Sequence, residues 1–234
     1  MKILVTGCGR GGTNLGIELI RAFNHFNTTQ EVEDRNLFFK MDNLPKGYAT
    51  KLATENKNFT IENISQLLEL NKDMKILFMK RHPIDVCLSK VLRGRPASQG
   101  GDSTIETIAA DGTIQHSIKA LEYMYKILNF LRENYSDRLI EIKMEDMIEN
   151  LEGTVTQVSD FIKVDPSAET YKFYELNRNR YQKKRYGNNL VKNVALYKDL
   201  ENNFEGYFKG RDEQIQKLLL YLSDMLTNLG YKNE

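Results

Sequence analysis

Residues 2–26 constrain the fold of this 234-residue chain more than any other segment. An apolar run at 2–6 leads into the glycine-rich stretch Gly7–Asn14. Apolar side chains then recur at helical spacing, namely Leu15, Leu19, Ala22, Phe23 and Phe26. A short apolar run bounded by glycine is typical of a buried strand, and the spacing after it is typical of an amphipathic helix. We therefore predict a strand, a tight turn and a helix in direct succession.

The rest of the chain repeats this alternation of strands and helices. The clearest buried strand is predicted at 74–79, with further strands at 46–53 and 139–142. Helices are predicted at 61–71, 113–133, 152–162, 168–176 and 211–229, and Pro83 suits the first turn of another. We expect loops at 27–36 and 94–111. Strands separated by helices favour an α/β three-layer sandwich with a central parallel sheet, which we predict as a single domain over 1–234.

Composition excludes several classes of function. The net charge of +1 gives no overall field that would attract nucleic acid or a membrane surface. Two cysteines, Cys8 and Cys87, are too few for a disulfide framework and are not spaced like metal ligands, which favours a reducing compartment. No apolar run approaches the roughly 20 residues that span a bilayer, and the strand-like start leaves no room for a signal peptide. We expect a cytoplasmic protein without a metal.

The glycine-rich turn has three interpretations, of which the first is a turn that binds nothing. Gly7, Gly9 and Gly12 match the dinucleotide pattern G-x-G-x-x-G, but that site needs a second apolar strand ending in an acid, which 27–36 does not supply. A Walker loop needs Gly-Lys-Ser/Thr at 12–14, and the chain has Gly12-Thr13-Asn14 without a lysine. A phosphate-binding turn is the third interpretation, because glycines expose backbone N–H groups and a helix N-terminus carries partial positive charge.

A second motif, Arg81-His82-Pro83-Ile84-Asp85-Val86-Cys87-Leu88-Ser89, follows the strand at 74–79. The guanidinium of Arg81 offers a fork of donors that matches phosphate oxygens, and Ser89 offers a hydroxyl two helical turns later. A capped helix with a surface arginine and serine is the alternative. Because ligands of parallel α/β sheets bind at the carboxyl ends of the strands, we expect both motifs to contribute to one site.

Together the two motifs resemble those of the P-loop sulfotransferases, which use 3′-phosphoadenosine 5′-phosphosulfate (PAPS). In that family, a basic residue, a small residue, glycine and threonine bind the 5′-phosphosulfate. Here these are Arg10, Gly11, Gly12 and Thr13, with Asn14 where a second hydroxyl is common. The 3′-phosphate motif is similar to Arg81 through Ser89, and Glu141–Met147 resembles a later strand segment of the family. The resemblance covers 2–26, 74–93 and 138–163.

The resemblance implies a P-loop NTPase-like fold, PAPS as co-substrate, and transfer of the sulfuryl group to a hydroxyl or amine of a small-molecule or carbohydrate acceptor. It implies these nucleotide-binding residues: Gly9, Arg10, Gly11, Gly12, Thr13, Asn14, Arg81 and Ser89. Arg10 and Lys51 are the implied catalytic residues. A transferred sulfuryl group needs cations and oriented N–H groups around the leaving phosphate, which gains charge in the transition state.

The catalytic base is left open by the sequence. Many family members place a histidine directly after the strand-end lysine, whereas Leu52 follows Lys51 here. Carboxylates serve in other members, so Asp42, Glu55 and Asp102 are candidates. A basic segment at 176–198 contains no acid and is either a solvated loop or a lid, predicted over 177–210; its cations are Arg178, Arg180, Lys183, Lys184, Arg185, Lys192 and Lys198.

Two other functions stay open at this point. One is a nucleotide or metabolite kinase with a divergent phosphate loop. The other is a nucleotide-binding protein of the same fold without turnover, which the missing histidine allows.

Overall fold

The computed structural model describes residues 1–29, 37–87, 113–173 and 212–231. The side chains of 113–115 and 212–219 are not part of that description. The chain divides into two compact units, one formed by Met1–Ile17 and Phe26–Glu145, the other by Glu18–His25 and Asp146–Glu234. The predicted loop at 94–111 and the predicted lid at 177–210 lie outside the described residues. The prediction of a single domain stays a prediction.

The first unit contains a five-stranded sheet whose strands all run parallel, which confirms the predicted α/β class. The strands are β1 (Lys2–Gly7), β2 (Asn27–Thr28), β3 (Tyr48–Lys51), β4 (Met74–Lys80) and β5 (Leu139–Lys143). Their order in the sheet is β2-β3-β1-β4-β5. The central strand β1 is buried on both faces, as expected of a strand in a parallel sheet. Its apolar sequence therefore does not alternate with polar residues.

Register along β1 determines which residues meet at the carboxyl edge of the sheet. Val5 lies opposite Lys51 of β3, and Gly7 lies opposite Met79 of β4. On the far side of β4, Lys80 lies opposite Lys143 of β5. The ends of β1, β3, β4 and β5 consequently reach the same edge.

Helices α2 (Ile61–Leu70) and α3 (Thr113–Asn134) also belong to the first unit. The N-cap of α2 is Thr60, whose hydroxyl accepts a hydrogen bond from the backbone N–H of Asn63 at 3.2 Å. Its apolar face buries Ile64, Leu67 and Leu68. Two 3₁₀ turns, Leu37–Phe39 and Met41–Asn43, precede β3 and were not predicted.

Helix α1 (Thr13–Ala22) begins in the first unit and ends in the second. The second unit also contains most of α4 (Met144–Glu149), together with α5 (Leu151–Ile162) and α6 (Asp212–Leu229). Within this unit, the hydroxyl of Thr170 donates a hydrogen bond to the carbonyl oxygen of Ala22 at 3.2 Å. Residues 18–25 are thereby joined to the segment that follows α5.

Two predictions of local structure were wrong. The described part of 168–176 contains a 3₁₀ turn at Thr170–Lys172 in place of an α-helix. Its geometry follows from the hydroxyl of Thr170, which also accepts from the N–H of Ser167 at 3.0 Å, because such side-chain bonds compete with the helical ladder. Part of the predicted loop at 27–36 is strand β2, since Asn27 and Thr28 pair with the edge of β3. An edge strand needs little apolar surface.

No helix among the described residues is long and apolar enough to cross a membrane.

A charge network links α3, β4 and β5. Glu141 accepts two hydrogen bonds from Arg132, at 2.6 and 2.7 Å, and its carboxylate lies 2.8 Å from the ammonium of Lys80. Burial acts to raise the pKa of Glu141, but the hydrogen bonds from Arg132 and Lys80 outweigh it, so the pKa is lowered from its usual value. The ionised carboxylate therefore stabilises the folded state.

We expect Glu141→Gln to lower the free energy of unfolding at pH 7 by about 1–3 kcal/mol, the usual contribution of charged hydrogen bonds. Because the folded pKa lies below the unfolded value of 4.5, the contribution is full above pH 4.5 and is lost as the pH falls through the folded pKa. The difference in the free energy of unfolding between wild type and variant, measured by urea unfolding, should therefore shrink in acid. Glu149→Gln at an exposed position is the control, and a difference that does not depend on pH would contradict the assignment.

Candidate functional site

The turn between β1 and α1 starts in close contact with β4. Gly7 has φ +136°, and a Cβ atom there would lie 2.3 Å from the carbonyl oxygen of Met79. Any side chain at this position would collide with the backbone of β4. Glycine therefore allows the loop at 8–12 to leave the sheet directly over the end of β4.

The loop contains a tight turn with Arg10 at its strained position. The N–H of Gly11 donates to the carbonyl oxygen of Cys8 at 2.8 Å, which closes a four-residue β-turn. Arg10, the third residue of that turn, has φ +75°, a left-handed conformation that costs a residue with a Cβ about 1–2 kcal/mol. Strain of this kind is concentrated at ligand-binding sites.

Helix α1 begins where the loop ends. Gly12 has φ +91°, and its carbonyl oxygen accepts the helical hydrogen bond from the N–H of Gly16 at 3.1 Å. Thr13 and Asn14 form the first helical positions, with Thr13 buried. The first N–H groups of a helix have no partner within the helix, and the helix dipole makes this end partly positive. This end of α1 can attract an anion.

Lys51, at the end of β3, adds a full positive charge to this region. It is only 5% exposed, although a lysine at the end of a strand usually reaches solvent. The ammonium donates a hydrogen bond to the amide oxygen of Asn14 at 2.7 Å. The cation is thus held against the first turn of α1, where both charges have the same sign and strengthen the potential for an anion.

Of the three candidate carboxylates, the structure brings Glu55 to the loop. Its Oε2 accepts from the N–H of Gly9 at 2.7 Å, and its Oε1 accepts from the thiol of Cys8 at 3.3 Å. Asp42 is exposed in the 3₁₀ turn Met41–Asn43. Asp102 lies outside the described residues.

Arg81 connects the second motif to the first. It follows β4 directly and is 6% exposed. Its Nη1 donates to the carbonyl oxygen of Arg10 at 3.3 Å, while its Nη2 lies 3.7 Å from the carboxylate of Asp85. The two motifs that were separate in sequence are therefore in contact. Ser89 lies outside the described residues.

A helical turn at 83–87 begins with Pro83 as predicted, and acids surround its start. Burial raises the pKa of Asp85, with the Arg81 guanidinium acting in the opposite direction. Burial lowers the pKa of His82, although the carboxylates of Asp85 and Glu145 act to raise it. His82 is therefore neutral at pH 7, which leaves Arg81 as the cation of this segment.

Glu145 was missed by the sequence reasoning as a site residue. Its carboxylate accepts from the backbone N–H of His82 at 2.8 Å, so it holds the chain where the second motif leaves the sheet. The segment Glu141–Met147 had been noted only as a feature of the fold. An acid shortly after the strand predicted at 139–142 was the available signal.

The structure thus brings most of the predicted residues to one edge of the sheet of the first unit: Gly9, Arg10, Gly11, Gly12, Thr13, Asn14, Lys51 and Arg81. Within the described ranges, no group of three or more His, Cys, Asp or Glu side chains could hold a metal ion. The chemistry that this edge offers is binding of an anion by backbone N–H groups and the cations Lys51 and Arg81.

A model of the sulfotransferase family matches residues 38–168, which is more than half of the chain. The match includes Lys51, Glu55 and Arg81 and begins after the glycine-rich loop. No curated protein sequence matches this chain.

Solved structures of sulfotransferases share the fold. The sulfotransferase domain from the curacin biosynthetic pathway is 16% identical with a TM-score of 0.54, covering 80% of this chain and 81% of that domain. Mouse sulfotransferase SULT7A1 complexed with PAP is 19% identical with a TM-score of 0.52, covering 74% of this chain and 62% of the mouse chain. The sulfotransferase domain of the Synechococcus PCC 7002 olefin synthase is 14% identical with a TM-score of 0.50, covering 76% and 78%. These similarities confirm the predicted P-loop NTPase-like fold.

The strain at Arg10 can be measured by comparing two variants. Both Arg10→Gly and Arg10→Ala remove the side chain, but only glycine tolerates a positive φ without cost. We expect Arg10→Gly to be about 1 kcal/mol more stable than Arg10→Ala in chemical unfolding. Equal stability of the two variants would show that the left-handed conformation is not strained.

Proposed function

Because the chain belongs to the sulfotransferase family, we propose that it transfers a sulfuryl group from PAPS to a hydroxyl or amine acceptor. The observation that carries the proposal is the 3.3 Å contact between the guanidinium of Arg81 and the backbone of Arg10. A donor with phosphate groups on both the 5′ and the 3′ oxygen requires two anion sites close together. The loop and the Arg81 fork form such a pair.

The 5′-phosphosulfate is assigned to the loop. Backbone N–H groups at 12–14, at the start of α1, and the side chain of Arg10 would bind its oxygens, since the N–H of Gly11 closes the turn onto Cys8 and that of Gly9 donates to Glu55. As the bond to the sulfuryl group breaks, the 5′-phosphate gains negative charge. Arg10 and Lys51 would stabilise that charge, because cations act strongly where water is excluded. The contact between Lys51 and Asn14 supports this role, since it places the ammonium at the first turn of α1.

The 3′-phosphate is assigned to Arg81, with Ser89 as a second donor that stays a prediction. A planar guanidinium binds two phosphate oxygens at once. The side chain is preorganised for this contact, because Asp85 and the carbonyl oxygen of Arg10 both hold its nitrogens. The mouse sulfotransferase that shares this fold was crystallised with PAP, which supports a similar ligand here.

The remaining assignments follow from the sequence. We propose a small-molecule or carbohydrate acceptor and a cytoplasmic location, and no metal is required by this mechanism. A lid over 177–210 stays a prediction. The kinase alternative is not favoured, since the loop lacks the lysine that binds the terminal phosphates of ATP.

Nucleotide binding tests the proposal without knowledge of the acceptor. We expect adenosine 3′,5′-bisphosphate to bind more tightly than ATP with magnesium in isothermal titration calorimetry. Arg81→Ala should lower the affinity for the bisphosphate by about ten- to a hundredfold, which is the effect of losing a charged hydrogen bond. The affinity for adenosine 5′-monophosphate should change much less. The ratio between the two ligands isolates the 3′-phosphate from any general effect on folding.

Arg138→Ala is the matched control, because Arg138 precedes β5 at the opposite edge of the sheet and contacts the carbonyl oxygen of Leu68 at 3.0 Å. It should leave the ratio unchanged. A preference of the wild-type protein for ATP with magnesium would reject the sulfotransferase proposal.

Lys51→Met tests the catalytic role at nearly constant side-chain length. We expect the rate of bisphosphate release from PAPS, with a panel of alcohols, phenols and amines, to fall by about 10²–10³-fold, as for loss of a transition-state donor. Bisphosphate affinity measured by calorimetry should fall far less. A loss confined to affinity, with an unchanged rate at saturation, would make Lys51 a binding residue only.

A further inference from the structure

The first turn of the loop already holds an anion, and that anion belongs to the protein. The carboxylate of Glu55 accepts the N–H of Gly9 at 2.7 Å and the thiol of Cys8 at 3.3 Å. A 2.7 Å contact is short for an N–H donor and is typical of a charged acceptor. The candidate phosphate loop therefore carries a negative charge beside its remaining donors.

Backbone contacts determine the position of this carboxylate. After β3, the N–H of Leu52 donates to Val5 and that of Thr54 donates to Gly7, both at 3.0 Å. The chain is thereby held alongside the end of β1 up to the residue before Glu55. The absence of a side chain at Gly9 completes the arrangement, since a Cβ there would lie 2.9 Å from Oε1 of Glu55.

The charge of Glu55 acts on any group bound by the N–H groups at 12–14. Consecutive Cα atoms are 3.8 Å apart and the turn folds back at Gly11, so such a group lies within about 10 Å of the carboxylate. Repulsion over that distance is a modest term, but it scales with the charge of the bound group. A terminal group with two negative charges is repelled about twice as strongly as one with a single charge.

We propose that Glu55 is a specificity-determining residue that selects the donor by the charge of its terminal group. A terminal sulfuryl group carries one negative charge, whereas a terminal phosphoryl group carries nearly two at neutral pH, because its second pKa is about 6. The loop accepts the sulfuryl group, and Glu55 disfavours the phosphoryl group of the same size. This inference rests on the proposed function and assigns a new role within that site.

Two ligands that differ in this charge test the proposal. PAPS and 3′-phosphoadenosine 5′-diphosphate have the same nucleotide and nearly the same shape. In calorimetry at pH 7.5 without acceptor, wild-type protein should prefer PAPS. Glu55→Gln keeps the size of the side chain and an oxygen for Gly9, and it should narrow the preference about twofold, mainly through tighter binding of the diphosphate.

Two controls separate this effect from others. Glu133→Gln makes the same change of net charge at an exposed position on the last turn of α3, near the opposite edge of the sheet, and should leave the preference unchanged. Raising the salt to 1 M shortens the Debye length to about 3 Å, which screens the charge of Glu55. The difference in ligand preference between wild type and Glu55→Gln should therefore shrink.

The outcomes are distinct. If Glu55→Gln raises the affinity for both ligands equally, Glu55 only competes with any ligand for the donors of the loop. The specificity proposal is then overturned. A change of preference that persists unchanged at 1 M salt would also overturn it, since the effect would then be steric. If wild-type protein binds neither these ligands nor adenosine 3′,5′-bisphosphate, the proposed function itself fails.

Discussion

Parallel pairing of β1 with both β3 and β4 is the interaction on which the candidate site depends. The ladder places Val5 beside Lys51 and Gly7 beside Met79, so the chain leaves all three strands at the same edge. Each segment that leaves contributes one part of the site, namely the loop after β1, Lys51 with Glu55 around the end of β3, and Arg81 after β4. A slip of one residue in either ladder would turn these side chains to the other face of the sheet.

The carboxyl edge of the sheet carries both positive and negative charges. Lys51, Arg81 and the start of α1 carry positive charge, while Glu55 accepts from the N–H of Gly9 and Asp85 lies against Arg81. The ion pair with Asp85 and the hydrogen bond to Asn14 lower the cost of burying Arg81 and Lys51, since an isolated charge in a nonpolar interior is strongly disfavoured. It also holds their side chains in place before a ligand binds, so less conformational entropy is lost on binding. Internal pairing therefore serves both stability and recognition.

Local structure was predictable wherever one strong pattern dominated. The strand at β4, helix α2 and the turn at Pro83 follow from apolar spacing and from proline geometry. Prediction was wrong where a few hydrogen bonds decide the conformation. Asn27 and Thr28 form a strand only because the edge of β3 is available to them, and Thr170 forms a 3₁₀ turn because its hydroxyl bonds to Ser167 and Ala22.

The sequence by itself determined the fold class and the resemblance to the family. A glycine-rich turn without a Walker lysine, and an arginine after a second strand, predict sites for two separate phosphate groups, because these features depend on residue type and short spacing. Only the tertiary structure decided that Lys51 is buried against Asn14. It also decided that Glu55 accepts the N–H of Gly9 and that Glu145 accepts the N–H of His82. These contacts join residues 37, 46 and 63 positions apart. Pairing of the strands brings such residues together, and no local pattern encodes which of them meet.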